Sequence, residues 1–86
     1  MPYRISIEPA AQRELSKLPI DVRQVVAGAI SALANEPRPP GVRKLSGSKS
    51  SYRIRVGGYR VLYTIADRIL DVTVIKVGNR REVYRP

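Results

Sequence analysis

Three arginines sit at fixed spacing around a glycine pair: Arg53 and Arg55 before Gly57-Gly58, and Arg60 after it. Tyr52-Arg53-Ile54-Arg55-Val56 alternates strictly, and Tyr59-Arg60-Val61-Leu62-Tyr63 follows the glycines. This is the pattern of two strands joined by a tight turn. A turn centred on Gly57-Gly58 sets Arg55 opposite Arg60 on one face, pairs Arg53 with Leu62, and leaves Arg53 diagonal to Arg60. Like charges directly opposite each other destabilise a sheet by up to about 1 kcal/mol. An anion held between them offsets that cost, and the planar guanidinium fork matches phosphate oxygens bidentately. The alternative is three solvated strand residues splayed apart. A second basic group follows at Arg80, Arg81 and Arg85, with Tyr84 among them. The Tyr84 ring suits either stacking on an unpaired base or capping the edge of a core. Lys44 and Lys49, upstream of the hairpin, either extend a phosphate path or are solvated loop lysines.

The chain holds no histidine and no cysteine. That excludes Ser-His-Asp and Cys-His catalysis, disulfides and the usual zinc sites. No metal or other cofactor is expected. Asp67, Asp71 and Glu82 are scattered, so no carboxylate pair stands ready for acid–base work. There is no glycine-rich phosphate loop. What remains is catalysis by fixed positive charge. Phosphodiester cleavage builds negative charge on the phosphate and on the leaving oxygen, and preorganised arginines stabilise both. RNA brings its own nucleophile, the 2′-OH. Arginine stays protonated and is a poor proton acceptor. From the residues alone, an RNA-binding module and a ribonuclease fit about equally well.

The elements that must position these groups can be read outward from the hairpin. Residues 3–7 alternate and predict a short strand. Glu8-Pro9 opens a helix with Ala11, Leu15 and Leu18 on one stripe, ended or turned by Pro19. A second helix is predicted at about 20–35, with Val22, Val25, Val26, Ala29, Ile30 and Leu33 facing the core. Residues 36–50 form a turn-rich connector. Strands follow at 52–56, 59–66 and 69–77, with a turn at Asp67-Arg68 and Gly78-Asn79 ending the last. The order βααβββ predicts a small α+β fold: two N-terminal helices packed on one face of a four-stranded, largely antiparallel sheet. At 86 residues the chain is expected to be a single domain, residues 1–86.

Charge is divided as sharply as structure. Residues 1–37 balance Arg4, Arg13, Lys17 and Arg23 against Glu8, Glu14, Asp21 and Glu36, so the whole net charge of +9 falls after them. Such segregation points to a polyanionic partner. No apolar run is long enough for a membrane-spanning helix, and the start lacks the apolar core of a signal peptide. A cytoplasmic protein with no membrane partner is expected.

With these residues in view, the chain resembles a RelE-family toxin of the RelE/ParE superfamily. The likeness runs nearly end to end. It includes the strand–helix–helix opening and Lys-Leu-Ser-Gly at 44–47. It continues through Tyr-Arg-Ile-Arg at 52–55, Gly-Tyr-Arg-Val-Leu-Tyr at 58–63 and Val-Gly-Asn-Arg-Arg-Glu-Val-Tyr at 77–84. The resemblance implies a bacterial or archaeal type II toxin–antitoxin system. It implies a RelE-like fold and a metal-independent mRNA interferase that cuts mRNA in the ribosomal A site and so inhibits translation. The 2′-OH attacks the adjacent phosphate, giving a 2′,3′-cyclic phosphate and a 5′-OH. The implied partners are a cognate antitoxin encoded nearby, mRNA, and ribosomal RNA, with operator DNA met only through the antitoxin complex. Residue by residue, Arg53 and Arg55 match two basic positions of the family's second strand, where the best-studied pattern has Lys. Arg60 matches the phosphate-stabilising Arg, Arg80 the Arg at the leaving 5′-oxygen, and Tyr84 the base-stacking Tyr. Arg at 53 and 55 shifts activation of the 2′-OH from a side-chain base towards electrostatics or ribosomal RNA. A different class remains open: a non-catalytic toxin that binds gyrase, or a module that only binds ribosomal RNA.

Overall fold

The computed structural model describes residues 2–79 of the chain. The expected site residues Arg80, Arg81, Tyr84 and Arg85 lie outside them. The first strand, β1 (Arg4–Ile7), runs through Glu8 into α1 (Pro9–Ser16), with Pro9 in the first turn. There its missing N–H costs nothing, because that turn has no intrahelical acceptor to meet. Pro19 then caps α2 (Ile20–Ala32). Four strands follow: β2 (Arg43–Lys44), β3 (Ser51–Val56), β4 (Tyr59–Ala66) and β5 (Asp71–Asn79). They form one mixed sheet in the order β1-β5-β4-β3-β2, parallel between β1 and β5 and antiparallel elsewhere.

The α+β class and the two N-terminal helices agree with the sequence pattern. The strand count does not: the sheet has five strands, because the connector contributes the two-residue β2. Gly41 and Gly47 flank it with φ of +88° and +77°, a backbone region that costs glycine little, so the chain turns sharply into and out of the sheet edge. α2 ends at Ala32 rather than 35. β5 starts at Asp71 rather than at 69, because a 3-10 turn takes Asp67–Ile69 and Leu70 adopts φ +52°. It also runs through Gly78 and Asn79, which pair with Arg60 and Tyr59.

The core lies between the helices and one sheet face. Ala11, Val26, Ile30 and Leu33 meet Tyr52, Ile54, Val61, Tyr63, Ile65, Val72, Val74 and Val77. Val25, expected in the core stripe, is instead 64% exposed. A register shift beside Leu62/Tyr63 explains how Val72, Val74 and Val77 all point inward despite their odd spacing. Tyr63 pairs with Val74 and Leu62 with Lys76, so Ile75 is the extra residue of a bulge. Beyond it, Lys76 and Gly78 fall on the face away from the helices.

Two polar clusters hold the periphery. Arg38, just after α2, grips the Asp67 carboxylate through two nitrogens at 2.8 and 3.2 Å, and Tyr3 donates its hydroxyl to the same carboxylate at 2.6 Å. Arg38 also lies 5.1 Å from the Tyr52 ring centre and donates to the Tyr52 hydroxyl at 3.3 Å. Hydrogen bonds from Arg38 and then Tyr3 hold the Asp67 carboxyl down at about 2. Tyr63, stacked on Tyr52 at 6.0 Å, donates to the Pro37 carbonyl at 2.7 Å, and burial pushes its phenol up to about 12. The connector is thereby tied to the start of β1 and the turn before β5. At the other end of β5, Glu14 of α1 accepts the Val77 N–H and the Lys76 ammonium, each at 3.0 Å.

Candidate RNA-contacting face

The β3–β4 hairpin turns at Gly57, whose φ of +60° suits a two-residue connection. The register that follows is Arg55 with Arg60, Arg53 with Leu62 and Val56 with Tyr59. Paired strands lie about 5 Å apart, so the three arginines share one small area of the face turned away from the helices. β5 completes the layout: Gly78 is the residue across from Arg60 and Lys76 the one across from Leu62. With a glycine there, no side chain stands beside Arg60 on that strand.

Burial divides the three. Arg55 is exposed, whereas Arg53 is 4% and Arg60 2% exposed. Buried guanidinium groups are costly unless they are held by partners, and both side chains are engaged in interactions within the protein. Anchored in this way, they present a fixed charge rather than a mobile one. A fixed charge need not reorganise when a substrate's charge grows, which is the condition for electrostatic catalysis.

Tyr52 and Tyr63 occupy the opposite, helix-covered face, as the alternation predicts, and Tyr59 packs against the same core. Lys44 pairs with Tyr52 and so shares its register position across the sheet from the arginines. Lys49 is exposed in the turn before β3. The sequence reading overlooked Arg43. It is registered directly with Arg53, lies exposed on β2, and lines a cavity of about 580 Å³ together with Arg53 and Arg55. Its signal was the Val42-Arg43-Lys44 alternation, too short to read as a strand between Gly41 and the turn residues that follow. Glu14 was likewise counted only as a helix charge. Among the described residues, no three His, Cys, Asp or Glu side chains gather as a metal site would require, and no helix is long and apolar enough to cross a membrane.

Three comparisons bear on this geometry. The model of the ParE toxin of type II toxin–antitoxin systems matches residues 5–84. Toxin RelG of Mycobacterium tuberculosis is 37% identical, with 99% of each chain covered. The mRNA interferase toxin RelE of Escherichia coli K12 is 33% identical over 98% of this chain and 92% of its own. Among solved structures, the archaeal RelE–RelB complex of Pyrococcus horikoshii contains a chain that superposes with a TM-score of 0.83 at 29% identity, covering 93% of this chain and 97% of that one.

Proposed function

Because the chain belongs to the RelE/ParE superfamily, as a toxin of a RelBE-type toxin–antitoxin system, we propose that it is a ribosome-dependent endoribonuclease that cuts mRNA in the A site. The observation that carries this reading is the register of Arg55 against Arg60, with Arg53 two residues along the same strand and diagonal to Arg60, on the sheet face opposite α1 and α2. In the proposed step the 2′-oxygen forms a bond to the adjacent phosphorus and the bond from phosphorus to the 5′-oxygen breaks. The products are a 2′,3′-cyclic phosphate and a 5′-hydroxyl. Arg60 and the two arginines of β3 stabilise the charge that grows on the phosphate, and Arg80 supplies stabilisation or a proton to the leaving oxygen. Arg53 and Arg55 lower the pKa of the 2′-OH, whose proton passes to water or to a ribosomal RNA group, since arginine does not accept it. Tyr84 stacks on a base of the codon.

The named relatives support this chemistry, one of them being called an mRNA interferase. A cognate antitoxin is the proposed protein partner, because structural neighbours are complexes of RelE with RelB antitoxins. The proposed compartment is the cytoplasm, where ribosomes are. The test is cleavage of a translated mRNA in a reconstituted translation system. Wild type is expected to cut within codons, and Arg80→Ala and Tyr84→Ala to lose most activity. Equal cleavage by wild type and Arg80→Ala would refute the assigned mechanism. The match to the ParE model supports one other reading, a gyrase-binding toxin. That protein would provoke DNA-damage signalling while mRNA stayed intact.

A further inference from the structure

We propose that the RNA track does not end at the hairpin but continues onto the sheet edge, with Arg43 of β2 as a phosphate contact. This rests on the nuclease reading for its substrate class and adds a residue and a direction to it. The register links four positions in one cross-strand row: Arg43 with Arg53, Arg53 with Leu62, and Leu62 with Lys76. The row is electrically lopsided. At its β5 end, Lys76 is paired with the Glu14 carboxylate at 3.0 Å. At its β2 end, Arg43 is exposed and makes no ion pair with the described residues.

Strands spaced about 5 Å apart put Arg43 roughly 10 Å from the Arg60 strand. That distance is beyond the phosphate held at the hairpin yet within reach of the next stretch of backbone. Arg43, Arg53 and Arg55 also line one cavity at the edge between β3 and α2, which they share with a single carboxylate, Glu36. A polyanion bound at the Arg55–Arg60 pair therefore meets, towards β2, an arginine that makes no ion pair with the described residues and, towards β5, a lysine already paired with Glu14. The RNA backbone leaves the reacting centre over β2.

The probe is a ribosome programmed with mRNA that is 2′-O-methylated in the A-site codon, which binds without being cut. Binding is measured from 50 to 200 mM salt. Each lost phosphate contact with single-stranded RNA lowers the slope of log affinity against log salt by about 0.7. Arg43→Gln is expected to flatten the slope by that amount, so that wild type loses about threefold more affinity than the variant across the range. Arg43→Lys is expected to restore the slope. Arg68→Gln removes the same charge from the exposed turn after β4, at the sheet end remote from the hairpin, and is expected to leave it unchanged. Equal slopes for wild type and Arg43→Gln, with unmethylated mRNA still cut, would overturn the Arg43 contact alone. A flattened slope without cleavage by wild type would support the contact and refute the nuclease. No binding by wild type would overturn both.

Discussion

Glu14→Ala tests how the fold holds the strand that leads to the C-terminal basic segment. β1 pairs only with Asp71–Val74, so among the described residues the outer edge of β5 beyond Val74 has no strand beside it. Glu14 takes that place from α1, accepting the Val77 N–H and the Lys76 ammonium at 3.0 Å each. Val77 is 1% exposed, so without Glu14 its N–H is left in a dry site. Leaving a buried donor unsatisfied costs about 1–3 kcal/mol. The ion pair, with side chains 42% and 32% exposed, contributes at most about 1 kcal/mol. Glu14→Ala should therefore lose about 2–3 kcal/mol. Glu14→Gln, which keeps an acceptor for Val77, and Lys76→Met, which keeps the carboxylate, should each lose less than about 1 kcal/mol. Urea unfolding measures all three, with an unchanged m-value showing that the native and denatured states are otherwise comparable. If Lys76→Met costs as much as Glu14→Ala, the salt bridge is the important contact and the edge argument is wrong. The same reasoning predicts that Glu14→Ala lowers mRNA cleavage at temperatures where it remains folded, and that Lys76→Met does not.

Arg55→Glu places opposite charges across the hairpin where two like charges now face each other. It should raise stability by up to about 1 kcal/mol while abolishing mRNA cleavage, and loss of both would show that Arg55 is structural. Asp67 gives an acid-side prediction. Its carboxyl is lowered from 3.8 to about 2 by Arg38 and Tyr3, so its stabilising effect is present above about pH 4 and is lost as pH falls towards 2. Asp67→Asn should be less stable at neutral pH and lack that step in a Tm-against-pH profile; an unchanged step would remove Asp67 from the account.

The hairpin register was legible because a period of two and a central glycine pair leave one solution for which residues face each other. The helices were legible for the same reason at a period of 3.6, though Val25 shows that a permissive stripe does not say where burial stops. The fifth strand was not legible, since two residues carry no period. Their placement comes from the positive-φ glycines at 41 and 47 and from backbone pairing with Tyr52 and Arg53. The β5 apolar run resisted assignment to one face because the bulge at Ile75 changes its phase midway. Least visible was the burial of Arg53 and Arg60. Alternation assigns a face, but only the packed structure decides whether a charged side chain on that face stands in water or is enclosed.

The division of charge along the chain acquires a structural meaning from these placements. The balanced first part, residues 1–37, supplies β1 and both helices, which cover one face of the sheet. The basic remainder supplies the four other strands, and its face away from the helices carries the arginines. Within that remainder, Arg38 and Lys76 are each paired with a carboxylate, Asp67 and Glu14. The Arg38–Asp67 pair lies at the sheet end remote from the hairpin, and the Lys76–Glu14 pair neutralises the β5 cation diagonal to Arg60, so positive charge is left at the hairpin and at β2. A surface that was merely soluble and basic would gain nothing from neutralising its periphery. A surface that draws a phosphate backbone to one place, as proposed above, gains direction, because the ion-paired Arg38 and Lys76 attract it less than the exposed Arg43 and Arg55 do. With no histidine in the chain to move a proton, the proposed cleavage relies on the placement of fixed cations, and the two ion pairs take Arg38 and Lys76 out of that set.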